Sequence, residues 1–167
     1  MFDVRPARID DAEAILALRH AAEDWLAERG IDQWPPREVP LTTIRNQVAA
    51  GEFVVMRPCP ELPIVAAMRL IWSDESIWQH DNVAAGYVHN LVIDRAYAGR
   101  GLGRALLDWA DHAVRDAGAT LLRLDCAESN TELRAYYCRC GFREVGRREF
   151  RDSQWFSVTL FQRDVPR

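Results

Sequence analysis

Val92-Ile93-Asp94-Arg95-Ala96-Tyr97-Ala98-Gly99-Arg100-Gly101-Leu102-Gly103-Arg104-Ala105-Leu106 is the stretch on which the fold turns. A β-branched run gives way to Gly-x-Gly-x-Gly, and the glycines open a segment of helical periodicity. Glycine lets the backbone curl with its amides pointing inward, and a helix N-terminus adds unpaired amides and partial positive charge. Together they make an anion cradle suited to a pyrophosphate. Arg100 and Arg104 flank it and can neutralise phosphate charge. The dinucleotide fingerprint Gly-x-Gly-x-x-Gly does not fit. Counted from Gly99 its last position is Arg104, and from Gly101 it is Leu106. The turn also sits mid-chain, after several antiparallel-looking strands, which argues further against a nicotinamide- or flavin-binding oxidoreductase.

Working outward, Tyr87 to Ile93 reads as a strand and Gly101 to Asp116 as a helix, with Leu102, Leu106, Trp109, Ala110 and Ala113 on its apolar face. Gly118 ends that helix, and Leu121 to Cys126 is the next strand. Two strands flanking one helix predict a parallel βαβ unit. Upstream, Phe2 to Arg5 is a short strand. Asp10 followed by Glu13 predicts a capping box opening a helix whose stripe is Ile15, Leu18, Ala22, Trp25 and Leu26, stopped by Gly30. Asp32 to Pro36 is a loop, Thr42 to Ala50 a second helix, and Phe53–Met56 and Ile64–Trp72 are strands. Ser73 to Ala84 is expected as a polar surface loop. Downstream, Asn130 to Cys140 is a helix stopped at Gly141, and Glu144–Phe150 and Trp155–Phe161 close the chain as strands.

Composition bounds the chemistry. The 167 residues are 49% apolar and 28% charged, as in one ordinary globular domain, expected to span 1–167. All 21 basic residues are arginine. The absence of lysine excludes lysine Schiff bases, a conventional Walker A loop and a protein kinase. The 22 alanines beside it match a GC-rich genome. The net charge of −4 argues against nucleic acid as the main partner. No apolar run approaches a membrane span, and Met1-Phe2-Asp3-Val4-Arg5 opens no secretory signal, so a cytoplasmic protein is expected. Cys59, Cys126, Cys138 and Cys140 lack framework or zinc-knuckle spacing and are expected as reduced thiols, with no metal site.

A second informative segment runs Asp125-Cys126-Ala127-Glu128-Ser129-Asn130-Thr131-Glu132-Leu133-Arg134-Ala135-Tyr136-Tyr137-Cys138-Arg139-Cys140-Gly141-Phe142. Asn130 starts the helix and Tyr137 lies two turns later on nearly the same face. Taken with the glycine turn, this segment resembles the GNAT superfamily of N-acetyltransferases, which move acetyl from acetyl-CoA to an amine. The matching features are the glycine turn, the Asn and the later Tyr-x-x-x-Gly-Phe. The order of elements is also similar over nearly the whole chain. One position departs: the family's loop usually opens with Gln or Arg three residues before its middle glycine, and here Ala98 stands there.

The resemblance implies an α/β (α+β) fold. Its sheet is mixed and mostly antiparallel, six to seven strands flanked by about four helices, with a splayed parallel strand pair at the acetyl-CoA site. It implies that Leu91, Val92 and Ile93 pair with the pantetheine arm and that Gly99, Arg100, Gly101, Leu102, Gly103 and Arg104 hold the pyrophosphate. Asn130 would contact the pantetheine, and Tyr137 would protonate the departing thiolate, with Tyr136 its rival. For the base that deprotonates the acceptor ammonium, Asp125 comes first, then His89, with Glu128 or a water chain as alternatives. Trp25, Trp34, Trp72, Tyr87 and Trp155 are candidates for the acceptor pocket, Trp34 and Tyr87 being chosen. The acceptor would be a small-molecule or peptide amine, and relatives often dimerise through the late strands, where Trp155-Phe156 lie. A non-catalytic acyl-CoA-binding module is the alternative on the same fold.

Overall fold

β1 (Asp3–Pro6) enters a single seven-stranded sheet whose strands are ordered β1-β2-β3-β4-β5-β7-β6. The computed structural model describes residues 2–79, 81–151 and 153–166. The other strands are β2 (Phe53–Arg57), β3 (Ala66–Ile71), β4 (Ala85–Ile93), β5 (Leu121–Ala127), β6 (Arg143–Arg148) and β7 (Val158–Asp164). Every neighbouring pair is antiparallel except β4 and β5, which run parallel around the crossover helix α4 (Leu102–Asp116). The sheet thus has the expected class and the expected parallel pair.

Strand alternation divides the core. Phe53, Val55, Ala67 and Val92 face α1 (Ala12–Ala27) and α2 (Leu41–Ala49), where Ile15, Ile44 and Val48 meet them. Val54, Met56, Met68, Leu70, Val88, Leu122 and Leu124 face the opposite side, against Leu102, Leu106, Leu107, Ala110 and Val114 of α4. The α4 stripe is complete because its apolar residues recur at helical spacing. α5 (Thr131–Arg139) follows β5 on that side, with Tyr137 and Phe142 in the same core.

Three local expectations need correction. The residue that opens α1 is Asp11 rather than Asp10, and its side chain makes no capping bond to that helix. A 3-10 turn over Ile9–Asp11 precedes α1, and the Asp11 carboxylate closes a capping box on that turn. Asp11 accepts from the Arg8 amide at 2.7 Å and from both Arg5 guanidinium nitrogens at 2.7 and 2.9 Å, while Glu13 bonds Arg45 of α2 at 3.0 Å. Residues 73–84 are not merely a surface loop (His80 lies outside the described residues). They form a helical turn, α3 (Glu75–Trp78), that tucks Asp74 inward to 8% exposure. Trp155 lies outside a strand, because β7 begins only at Val158. All four cysteines are free thiols. Among the described residues, no helix is long and apolar enough to cross a membrane.

Candidate active site

The site begins where the parallel pair comes apart. β4 and β5 stay in register from Ala85↔Leu121 to Val88↔Leu124, and the pairing ends there although both strands continue. On its other side β4 carries a bulge. Ala67 pairs with Val92 but Arg69 pairs with His89, so β4 holds one residue more than β3 over that interval. Asn90 takes the extra place in a left-handed conformation, φ 51°. The bulge resets the alternation, so Val92 shares the α1–α2 face with His89, while Leu91 and Ile93 turn to the α4 core. Loss of ladder bonds beyond Val88 leaves backbone groups of β4 turned to the gap, where an extended amide-bearing ligand can pair with them.

At the far end of β4 the chain makes a short 3-10 turn, Arg95–Tyr97, capped by the Asp94 carboxylate accepting from the Ala96 amide at 2.9 Å. Gly99 and Gly101 then adopt left-handed φ of 76° and 79°, which only glycine takes without strain. The first amide to bond back inside α4 is that of Ala105, to the Gly101 carbonyl at 3.0 Å, so the amides before it have no intrahelical acceptor. Gly103 is required for space. A Cβ there would stand 2.6 Å from the Tyr136 hydroxyl and 3.1 Å from Ile93 Cδ1. The glycine turn and the open helix N-terminus read from the sequence are both present. Arg104 lines the cleft, but the Arg100 guanidinium lies over the Tyr97 ring at 5.1 Å and its side chain is not among the lining residues.

Turn and splay open into one cleft of about 1020 Å³, bounded across from the sheet by α1, the α1–α2 loop and Trp155. His89, Leu91, Val92, Ile93, Gly99, Gly101 to Arg104, Asp125, Asn130, Tyr137 and Trp34 all line it, so sequence elements far apart are brought to one surface. Besides Arg100, three candidates are not there: Trp72, which is half exposed elsewhere, Tyr87 and Glu128. Tyr87 is 5% exposed, its hydroxyl accepting from Arg123 at 3.0 Å and its ring packed on Trp78. The α3 turn covers it, so it is a packed residue behind His89 rather than part of the acceptor wall. Glu128 lies outside the cleft, held at 2.8 and 3.0 Å by Arg147, whose hydrogen bonds bring its pKa down.

Asp125, at the first unpaired step of β5, has its side chain 13% exposed and its Oδ1 buried without a hydrogen-bond partner. Burial pushes its carboxyl up to about 6; the His89 charge pulls against this and Asp74 adds to it. His89 sits across the gap on β4, with Nδ1 3.9 Å from Asp125 Oδ1 and Nε2 2.9 Å from Asp74 Oδ2. These three are the metal-ligand cluster found among the described residues. The imidazole, however, turns a different nitrogen to each carboxylate, which suits proton handling better than a shared ion.

Tyr137 is 6% exposed and packs on Phe142 and Phe161 at 5.9 and 5.7 Å between centroids. Burial, then the neighbouring Cys126 and Asp125, hold its phenol well above the usual range. At neutral pH it is therefore a protonated hydrogen-bond donor. Tyr136 is separated from it by direction, since its hydroxyl reaches the first turn of α4 at Gly103.

Gln33 and Arg19 line the cleft and Asp74 stands behind it without a local signal in the sequence, while Glu38, with Asp24 and Asp32 a candidate to attract a cationic amine, lines it as well. Gln33, from the α1–α2 loop, accepts through Oε1 from the Ala127 amide and from Asn130 Nδ2, both at 3.2 Å. Asn130 meanwhile caps α5 by accepting from the Leu133 amide at 3.2 Å. Arg19 of α1 donates to Glu23 at 2.9 Å and to the Asn90 side chain at 2.8 Å, and its guanidinium lies 4.1 Å from the Trp34 ring centroid. Glu38 stands 3.9 Å from the same guanidinium, its pKa raised by burial.

Comparison with known proteins agrees with this construction. Residues 19–142 match the family described as acetyltransferase (GNAT) family. An N-acetyltransferase of Bacillus subtilis, YesJ, is 31% identical over 165 residues, covering 96% of this chain and 88% of its own. The crystal structure of a GNAT-family acetyltransferase from Listeria monocytogenes is 25% identical, with a TM-score of 0.81 over 98% of this chain and 94% of that one. A structure from Salmonella typhimurium, yncA with its cofactor acetyl-CoA, shares the fold at 16% identity and a TM-score of 0.72, over 100% and 95% of the two chains. The chain belongs to the GNAT family of acetyltransferases and is an acetyl-CoA-dependent acyltransferase.

Proposed function

We propose that this enzyme transfers acetyl directly from acetyl-CoA to a primary amine. The observation that carries the reading is the splay itself. A buried carboxylate with an unpartnered oxygen and an imidazole line one part of a cleft that also contains a protonated phenol and ends in the glycine turn. In this reading the amides of the Gly99–Arg104 turn and Arg104 hold the pyrophosphate, and Leu91 to Ile93 and Asn130 hold the pantetheine arm. The ionised Asp125, with His89 beside it, takes a proton from the acceptor ammonium. The freed amine forms the N–C bond to the acetyl carbonyl, the C–S bond breaks, Tyr137 gives its proton to the sulfur, and the proton then lost by the new amide nitrogen restores the Tyr137 phenol. The acceptor enters along α1 and the α1–α2 loop, between Trp34, Glu38 and Trp155. A carboxyl near 6 fits this work, because it is ionised at neutral pH yet basic enough to accept a proton.

Purified protein mixed with acetyl-CoA and a panel of primary amines is expected to release free CoA. Tyr137→Phe is expected to slow kcat by about a hundredfold or more while leaving acetyl-CoA affinity within twofold. A Tyr137→Phe enzyme as fast as wild type would remove the acid from this scheme. Thermal shift by NAD and none by CoA compounds would remove the scheme altogether.

A further inference from the structure

We infer that Asp74 is a positioning residue that fixes His89 with its Nδ1 lone pair turned toward Asp125, so that the two form a paired acceptor for the ammonium. This rests on the acetyl-transfer reading above. The geometry is directional. Asp74 Oδ1 accepts from the Ser76 hydroxyl at 2.8 Å, and Oδ2 faces His89 Nε2 at 2.9 Å. Burial pushes the Asp74 carboxyl up, but the hydrogen bond and charge of His89, with the bonds from Ser76 and the Ile77 amide, outweigh it and hold it below the usual range. An ionised carboxylate can only accept, so the hydrogen between it and the ring belongs to Nε2. The neutral ring then has its lone pair on Nδ1.

Nδ1 and Asp125 Oδ1 are 3.9 Å apart, too far for a hydrogen bond between them, and Oδ1 has no other partner. One ammonium can bridge two acceptors at that separation at ordinary hydrogen-bond length once the side chains part to open Oδ1, which is closed to solvent in the empty cleft. The pair is frustrated when empty and satisfied when a cation sits between them. Other charged neighbours are already engaged. Arg69, paired with His89 across β3, donates to Glu52 at 2.7 Å, and Arg123 beyond Tyr87 is held by Asp81 at 2.8 Å. Asn90, next along β4, is bonded to Arg19. Asp74 therefore does for His89 what no residue on its own strand does: it selects the tautomer.

The test is nitrogen-15 NMR of histidine-labelled full-length protein near pH 8, with the His89 signals identified by their loss in His89→Gln. The expected spectrum has the Nε2–H tautomer at His89 in the wild type and a mixture of tautomers in Asp74→Asn. With any amine that turns over, Asp74→Asn is expected to lower kcat at least about tenfold, with KM for acetyl-CoA within twofold. Combined with His89→Gln, it should be no slower than His89→Gln alone, because both act through one ring. A wild-type His89 bearing its proton on Nδ1, or fully additive losses in the double variant, would overturn the assignment. The tautomer is read without substrate, so it can fail while acetyl transfer stands. Absence of turnover on every amine would fail the transfer reading and leave the tautomer to decide this one.

Discussion

Replacing Asp125 by Asn should make the protein more stable at alkaline pH while disabling it. The carboxyl is moved from its ordinary 3.8 to about 6, chiefly by burial. Its folded pKa lies above its unfolded one, so the folded state disfavours the ionised form. Nothing is lost below the unfolded value. The loss grows as pH rises and is complete above the folded value. At about 1.4 kcal/mol for each step of one in pKa, the titration of Asp125 costs about 3 kcal/mol at pH 8 and about half of that at pH 5. Asparagine has the same shape and does not titrate, so its own fit adds a constant that cancels between the two conditions. The stability difference, variant minus wild type, should therefore be about 1–2 kcal/mol larger at pH 8 than at pH 5, or roughly 2–8 °C in Tm for a chain of this size. Thermal unfolding of both proteins at both pH values measures it. An equal difference at pH 5 and pH 8 would show that Asp125 does not titrate in this range and would remove the basis for its role as proton acceptor.

Gly103→Ala should destabilise by about 1–3 kcal/mol despite its helical setting, since the new methyl meets the Tyr136 hydroxyl at 2.6 Å. Adding Tyr136→Phe removes that oxygen and should recover much of the loss in denaturant midpoint. Arg163→Met should cost about 3–5 kcal/mol, near 10 °C in Tm. The side chain donates to the Cys140 and Leu107 carbonyls at 2.7 and 3.0 Å and pairs with Asp111 at 2.7 Å, tying α4, the end of α5 and β7 together. Prolonged exposure to acetyl-CoA should leave no stable side-chain amide, because the chain has no lysine. Peptide mass mapping that found one would contradict this.

What the sequence made legible was local or periodic. The strand, the Gly99-x-Gly101-x-Gly103 turn and the apolar stripe of α4 are contiguous, so their geometry follows from residues that are neighbours in the chain. The parallel β4–β5 pair followed because a strand–helix–strand unit has one common handedness. Asp125 and His89 were nameable as candidates because each lies on one of these strands. Their relation was hidden, since it depends on where the pairing stops, a property of two strands rather than of either. Asp74 was invisible for a related reason. It reaches His89 from 15 residues earlier, out of a stretch whose polarity resembles any surface loop. Tyr87 and Arg100 were misplaced because residue type says what a side chain can touch, and the direction it takes is set by packing: Trp78 and Arg123 claim the one, the Tyr97 ring attracts the other.

The bulge at Asn90 has a consequence for how two substrates share one enzyme. Its side chain is held by Arg19 at 2.8 Å, and Arg19 in turn lies against Trp34 on the far wall of the cleft. The strand proposed to grip the cofactor is thus braced from the helix proposed to face the acceptor. Any adjustment of Asn90 that accompanies cofactor binding is felt at Arg19, and any acceptor that draws on Arg19 alters the brace on the strand. Linkage makes the effect equal in both directions. One side-chain hydrogen bond between α1 and β4 thus ties the two walls of the cleft to each other.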